Sequence, residues 1–452
     1  MVLACIALAL ALGAAARSAA PTSPSFGLTY DIDTGRGCYA FALGDLNRDK
    51  RPDLVYGCYD DGESVAGSIF FNRGNGDFAY SGDYLEFDET HAYLVTSLAL
   101  GDLNGDGTAD LVVGYDGLTG SLSVLLNRGN GTFLPQVDYR TGGPADSVAV
   151  GDVDGDGDAD VVIARNNAVT VLINRGDGSL LQPVRYAVGR GGYWGGRTLA
   201  LEDVTGDGAV DAVTPNDKDG TVSVLVNRGD GTFTRRNYAT EPHPNSVAIG
   251  DLNADGQADV VTAGSRRADA DFAASVLFNR GNGRLGPRRD YRGIANSVAI
   301  GDLNGDELPD LAGTGVLGVS VLFNDGHGRF GSKLDYHPGT GDENAELKLA
   351  DFDADGRLDL ASANDTQLHN DQPTDLAVAL NTPGLCNVQF VRGSKPAAAR
   401  RKLARVNCRV GRLRRIHSRM RAGLVLGTKP RFGGEYRGGK RVDLIVSRGP
   451  KR

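Results

Sequence analysis

Apolar residues along this chain come in short runs, and clusters of Gly, Asp and Asn cut each run off before it reaches helical length. One stretch displays the unit: Ser147-Val148-Ala149-Val150, an acidic loop, Val161-Val162-Ile163, a variable loop, then Thr170-Val171-Leu172-Ile173. An Asn-Arg-Gly-Asp/Asn-Gly turn follows the third run, as in Asn227 to Gly231, and leads through Phe233 into an extended stretch ending at Tyr238. Short β-branched runs bounded by such turns predict four antiparallel strands per unit.

The unit recurs. Gly44-Asp45-Leu46-Asn47 is repeated at Asp102, Asp152, Asp203, Asp251, Asp302 and Asp351, with the Asp advancing by 57, 50, 51, 48, 51 and 49 residues. Four-stranded units at this period are the mark of propeller blades, which stack because none can bury both faces alone. The expected fold is therefore all-β, a seven-bladed β-propeller of four-stranded antiparallel blades, followed by a small α+β (β-α-β-β) C-terminal domain. The seventh unit stops at Thr382-Pro383 without its Gly-x-Phe strand, whereas Ser25-Phe26-Gly27-Leu28-Thr29-Tyr30 stands near the N-terminus. That segment is expected to supply the missing outer strand and latch the ring, removing an exposed sheet edge.

Composition adds two facts. With 64 glycines and 7% aromatics, a helix-rich architecture is excluded. Residues 385–452 carry 20 Lys/Arg against Glu435 and Asp443, net +18, which leaves -27 on the preceding residues of a chain whose total is -9. The expected division is a signal peptide over 1–20, the propeller over 21–383 and a basic domain over 384–452. Val2 to Ala16 is an apolar stretch ending in small residues, too short to span a bilayer comfortably, and it resembles an export signal without the usual basic start. A buried apolar helix is the alternative. Removing the signal would leave Cys38, Cys58, Cys386 and Cys408, two local pairs that suit disulfides in an oxidising compartment. Free thiols are the other reading.

The chemistry concentrates in the loop between the first two strands. Asp102, Asn104, Asp106 and Asp110 occupy positions 1, 3, 5 and 9, with Gly107 at position 6 and the carbonyl of Thr108 at position 7. Ca²⁺ takes six to eight oxygens, and a tight loop bearing oxygen side chains at alternate positions aims them at one centre; Mg²⁺ wants a stricter octahedron. The same set recurs as Asp152, Asp154, Asp156, Asp158, Asp160; as Asp251, Asn253, Asp255, Gln257, Asp259; and as Asp351, Asp353, Asp355, Arg357, Asp359. Asp203, Thr205, Asp207, Ala209 and Asp211 put a hydroxyl at position 3. Asp45, Asn47, Asp49, Asp53 and Asp302, Asn304, Asp306, Asp310 replace the position-6 glycine by Lys50 and Glu307, so weaker or less regular sites are expected there. The count is five good calcium sites and two weaker ones. Asp and Gly also favour plain turns, but a turn alone does not call for a fourth carboxylate at position 9 seven times, since clustered anions repel.

Gly-Asp-Leu-Asn-Gly-Asp-Gly-x-x-Asp followed by Asn-Arg-Gly-Asn-Gly-x-Phe resembles the FG-GAP/VCBS repeat family, similar to the integrin alpha-chain head, over residues 25 to 383. The resemblance implies a propeller with Ca²⁺ in those hairpin loops, an extracellular location, and recognition more often than catalysis. The tail, with Cys386, a helix-compatible Ala397 to Val406, Asn407-Cys408 and the alternating Val442 to Ser447, resembles a PASTA domain, departing from it at Asn387-Val388 and Thr428. That implies peptidoglycan as partner, and +18 adds attraction for an anionic wall polymer. Docking of the tail on its own acidic propeller is the plainer alternative. Nucleic acid is disfavoured because only Phe390, Phe432 and Tyr436 interleave the charges.

In an up-and-down blade the 2–3 loops and the blade-to-blade connections share the face opposite the acidic loops. Length variation falls there, at Tyr80 to Tyr93, Gly189 to Arg197, Ser265 to Asp271 and Asn364 to Thr374. Variable loops on a rigid scaffold are where binding sits, so Arg190, Tyr193, Trp194 and Arg197 are the candidate ligand residues, for an unknown glycan or protein; the single Trp packing a blade junction is the structural alternative. His91, His243, His327, His337, His369 and His417 form no catalytic motif. The expectation is a secreted, wall-associated binding module, not an enzyme and not membrane-spanning; a polysaccharide lyase or hydrolase built on the propeller is the alternative.

Overall fold

In each repeat the second and third runs are mostly apolar because both of their faces are covered: Asp110–Tyr115 and Leu122–Leu125 are buried at every position. The fourth run, such as Arg289–Arg292, is mostly exposed, so polar residues are tolerated there. The structure, a computed structural model, describes residues 24, 26–32, 37–60, 64–74, 76–85, 94–117, 122–191, 198–264, 273–315, 318–336, 344–364, 376–382, 385–387, 394–405, 409–429, 435–437 and 441–450.

Among these residues the repeats form seven four-stranded sheets. Blade 1 runs Gly37–Gly44, Asp53–Asp60, Ser64–Asn72, Phe78–Leu85, each strand antiparallel to the one before. The first strands of blades 2 to 7 are Val95–Gly101, Ser147–Gly151, Ala200–Glu202, Pro244–Gly250, Val298–Gly301 and Asn344–Ala350. Each touches its neighbour in that order, and the last touches Gly37–Gly44, so the ring is closed. These inner strands surround a cavity of about 580 Å³ whose lining is apolar apart from Lys348.

Blade 7 has the order Asn344–Ala350, Asp359–Asn364, Leu376–Asn381, with Phe26–Ile32 as its outer strand. Phe26 pairs with Asn381 and Ile32 with Leu376, as the latch expectation requires. Phe26 meets the Tyr336 ring edge-on at 4.8 Å, and the Tyr336 hydroxyl donates to the Pro24 carbonyl at 2.9 Å, tying the latch to blade 6 as well.

Seven apolar clusters lie between blades, one per junction. Leu46 of blade 1 packs with Leu111 and Val113 of blade 2; Leu103 of blade 2 packs with Val161 and Ile163 of blade 3. The series ends with Phe352 of blade 7 against Phe41 and Phe78 of blade 1. Polar ties run beside them near the axis. The hydroxyl oxygens of Ser97, Ser147, Thr198, Ser246 and Ser297 accept the N–H of Val148, Leu199, Val247, Val298 and Leu347, one blade on. At the 7–1 junction Glu346 takes this place and accepts the Phe41 N–H at 3.2 Å. Lys348 donates to the Phe41 carbonyl and pairs with Glu346 at 3.1 Å. Glu346 and Lys348, paired within one strand of blade 7, therefore both hold the backbone of blade 1 at the junction that closes the ring.

The C-terminal residues hold a helix, Pro396–Arg405, with proline in the first turn where its missing N–H costs nothing. Ala399 and Leu403 pack on Val425, Val442, Leu444 and Val446. The β-α-β-β expectation is too short by two strands. Arg409–Ile416, to which the sequence reading assigned no element, is a strand parallel to Arg441–Ser447, which also pairs antiparallel with Val425–Lys429; Leu385–Asn387 pairs with Glu435–Arg437. An arginine-rich strand is tolerated because it lies at the sheet edge, where charged side chains reach water. No helix of the described residues is long and apolar enough to cross a membrane.

Candidate metal loops and the opposite face

The acidic loops are tight turns held by their own carboxylates. In blade 2, Asp102 accepts the N–H of Asp106 at 3.1 Å and of Gly107 at 2.9 Å, and Asp106 accepts the N–H of Thr108 at 2.8 Å. The Thr108 hydroxyl also donates to Asp106 and, as the largest cause, holds that carboxyl below its ordinary range. Position 6 is left-handed, φ 79° at Gly107. Lys50 and Glu307 keep the same turn at φ 66° and donate to Asp45 and Asp302 at 2.8 Å. The loops of blades 1 and 6, where weaker binding is expected, thus keep the same backbone turn, at a cost of about 1–2 kcal/mol each for a side chain in this region. Thr205 donates its hydroxyl to Asp203 at 3.3 Å.

Position 9 carries two duties. Asp53, Asp110, Asp160, Asp211, Asp259, Asp310 and Asp359 are wholly buried. In every blade one oxygen accepts the N–H of loop position 2, as Leu103 to Asp110 at 2.9 Å, and the other accepts the N–H of the Asn that ends the third strand, as Asn127 to Asp110 at 2.7 Å. The same pair recurs from Leu46 and Asn72 on Asp53 to Phe352 and Asn381 on Asp359. Burial, against these N–H bonds and with the neighbouring loop carboxylates, pushes Asp110 and Asp160 up to about 6 and Asp310 and Asp359 up to about 7. The recurrence that the sequence reading assigned to a cation alone is also a backbone brace.

The residues fit a hard cation. Ligand oxygens of Asp152, Asp154 and Asp156 lie within 4.8 Å of one another, as do those of Asp351, Asp353 and Asp359. Two oxygens on one ion at ~2.3 to 2.6 Å can lie up to ~5 Å apart, so either set could share one ion. These are the two loops with Asp rather than Asn or Thr at position 3. Burial, followed in effect by neighbouring carboxylates, raises Asp353; burial likewise raises Asp154. A cation would relieve that unfavourable charge.

The Asn of the Asn-Arg-Gly turn passed unassigned in the sequence. Its side-chain amide reaches the preceding blade: Asn127 Nδ2 donates to the Leu46 carbonyl at 2.9 Å, and Asn174 to Leu103 at 2.7 Å. Asn227, Asn279, Asn324 and Asn381 donate likewise to Val153, Val204, Leu252 and Leu303. Asn72 completes the circle by donating to Phe352 at 3.0 Å. Every acceptor is position 2 of an acidic loop, whose side chain is plugged into the same junction.

On the opposite face, Asp219 in the short turn Asp217–Asp219 grips Arg190, accepting its N–H at 2.7 Å and its Nε at 2.8 Å. Asp217 of that turn accepts His243 Nδ1 at 2.9 Å, with His243 at a left-handed φ of 60°. Two connections, from blade 3 to blade 4 and from blade 4 to blade 5, are thereby fixed to one turn of blade 4. Tyr193, Trp194 and Arg197 lie outside the described residues, as do His91, His337 and His369. Tyr80, read as the start of an insertion, belongs to the strand Phe78–Leu85. Cys38 stands opposite Cys58 in backbone register; the Cys386–Cys408 pairing falls outside the described residues.

A model of the FG-GAP-like repeat matches residues 45–113, 102–163, 152–214, 203–262 and 302–362, together more than half of the chain. Each match opens at the first Asp of an acidic loop. Among solved structures, the chain is similar to an Agrocybe aegerita lectin that recognises non-reducing terminal N-acetylglucosamine, with 22% identity, 65% of this chain and 79% of that one covered, and a TM-score of 0.47. It is also similar to the Photorhabdus luminescens Tc holotoxin pore, at 16% identity and a TM-score of 0.33, with 79% of this chain and 15% of that one covered. No curated protein matches the sequence.

Proposed function

The chain belongs to the FG-GAP-like repeat family, and from that membership we propose that it is a secreted, calcium-loaded propeller that recognises a glycan or protein ligand and is held at the cell wall by its basic C-terminal segment. The observation that carries the reading is the contrast between the two ends of the ring. One end repeats the same oxygen-rich loop in every blade; the other presents connections that differ from blade to blade.

Calcium is preferred to magnesium because each loop offers many oxygens at alternate positions, as a cation that takes six to eight ligands requires. The ligand face is centred on Arg190, whose Nε is held by Asp219 while its two Nη groups bond no side chain among the described residues. Tyr193, Trp194 and Arg197 belong to the same proposed face. The protein is a binder, not an enzyme: the His243–Asp217 pair has the contact of a base and its orienting acid, but His243 is half exposed on an open rim and does not line the cavity.

Wall attachment is supported by charge. Arg412, Arg414, Arg415, Arg419 and Arg421 are exposed along one edge strand and the turn after it, with Asp443 facing Arg414 at 3.4 Å. Such a surface attracts peptidoglycan-associated anionic polymer. We further propose the PASTA-like domain boundary at 384, the export signal over 1–20 and disulfides Cys38–Cys58 and Cys386–Cys408. The test is a glycan array probed with the full chain and with the chain lacking 384–452. Binding that survives the truncation belongs to the propeller, binding that is lost belongs to the tail, and an array blank for both refutes the glycan reading.

A further inference from the structure

The contacts at the loop end form an unbroken circuit. Within blade 3, Asp160 accepts the N–H of Val153 in its own loop and the N–H of Asn174. Asn174 Nδ2 leaves the blade and holds the Leu103 carbonyl at 2.7 Å and the Ala159 carbonyl at 2.9 Å. Leu103 is position 2 of the blade 2 loop, and its N–H is held by Asp110. Asp110 holds Asn127, and Asn127 holds Leu46 of blade 1. The path continues through each junction until Asn72 meets Phe352. Asn72, Asn127, Asn174, Asn227, Asn279, Asn324 and Asn381 are all buried. A buried amide has no water to replace a lost partner, so each link is obligatory.

We infer that these seven asparagines are positioning residues that couple the acidic loops, so that ordering one loop orders the loop on either side of it. The cause is local. When loop n is set, its position-2 carbonyl is fixed and holds the Asn of blade n+1. That Asn places its own N–H on the position-9 carboxylate of loop n+1, which sets loop n+1 in turn. The same bonds run backwards. The side chain at position 2, Leu103 at 1% exposure in the 2–3 core, makes the link stiff, because it cannot shift without disturbing the packed junction. Coupling through a contiguous two-state element is physical rather than correlative. The metal-dependent half of this inference rests on the cation reading above; the coupling of the loops does not.

Amide hydrogen exchange on the full chain separates the two. In the chelated protein, Asn174→Ala is expected to speed exchange about fivefold or more both in residues 152–160 of its own blade and in residues 102–110 of the blade before it. Residues 302–310, across the ring, keep the wild-type rate. Unchanged exchange in 102–110 overturns the coupling. Because Asn174→Ala removes a buried group, Asp156→Ala is the second variant: Asp156 is exposed and makes no belt contact. With calcium present, it is expected to lower protection in 102–110 and 203–211 as well as in 152–160. Loss confined to 152–160 contradicts the inference. Calcium that alters exchange in no loop of the wild type refutes the metal reading, while the Asn174→Ala result still decides the belt.

Discussion

The two ends of this ring are built on opposite principles. At the loop end the same contacts recur seven times: a position-9 carboxylate braced by two N–H groups, an asparagine reaching back one blade, and a plugged apolar residue. At the other end the connections differ from blade to blade, and Arg190, Asp219, Asp217 and His243 meet where blades 3, 4 and 5 adjoin. Repetition marks what every blade must do to join its neighbours. Departure from it marks what only one place in the ring can do.

The contrast is broken most severely by pH in the metal-free protein. The buried carboxylates have an ordinary value of 3.8 when unfolded but lie near 6 to 7 in the fold. Between these values the folded state keeps protons that the unfolded chain has lost, so stability falls as pH rises from about 4 to about 7 and is flat above. Asp106, Asp177, Asp219, Asp230 and Asp325, held low, act in the opposite direction only below about pH 4. Urea midpoints of the chelated protein at pH 4.5 and 7.5 check this, and an equal or higher midpoint at 7.5 contradicts it.

A single brace comes next. Asp160→Ala leaves the Val153 and Asn174 N–H groups buried without partners, at about 1–3 kcal/mol each, and calorimetry should find a matching drop in Tm. Smaller still is Lys348→Met at the ring's closure, where one half-exposed ion pair and one carbonyl bond are lost. About 1 kcal/mol is expected, with exchange rising first in residues 37–44. Arg190→Met should change stability by no more than about 0.5 kcal/mol while abolishing ligand capture by the propeller. A larger loss of stability would move Arg190 from recognition to scaffold and blur the difference between the ends.

The architecture was legible because its cause is local and repeated. Seven Asp-rich turns at a near-constant spacing, and a last unit lacking the strand that Phe26 supplies, were enough for blades, number and latch. The loop chemistry was legible in kind and incomplete in role. Asp160 looks like a ligand in sequence, but its N–H partners are Val153 and Asn174, and the second lies fourteen residues away. Asn174 reads as a turn former because its acceptor, Leu103, sits in another blade. A signal was present, since Asn closes the third run in all seven units, including the last, where no Gly-x-Gly turn follows it. Glu346 and Lys348 could be placed only once the ring had brought Phe41 beside them. Arg409–Ile416 was missed because its charge hid the spacing of an edge strand.

Scanning calorimetry of one sample, first with calcium, then with excess EDTA, then with calcium restored, tests the central claim that cations in the repeated loops hold the ring together. Each site saturated at ~100 times its Kd contributes about 2.7 kcal/mol, and a propeller of this length shifts by ~1 to 2 °C per kcal/mol. Two filled loops alone predict a fall in Tm of about 5 °C or more, fully reversed by calcium. A cooperative transition at one temperature in all three states would contradict it.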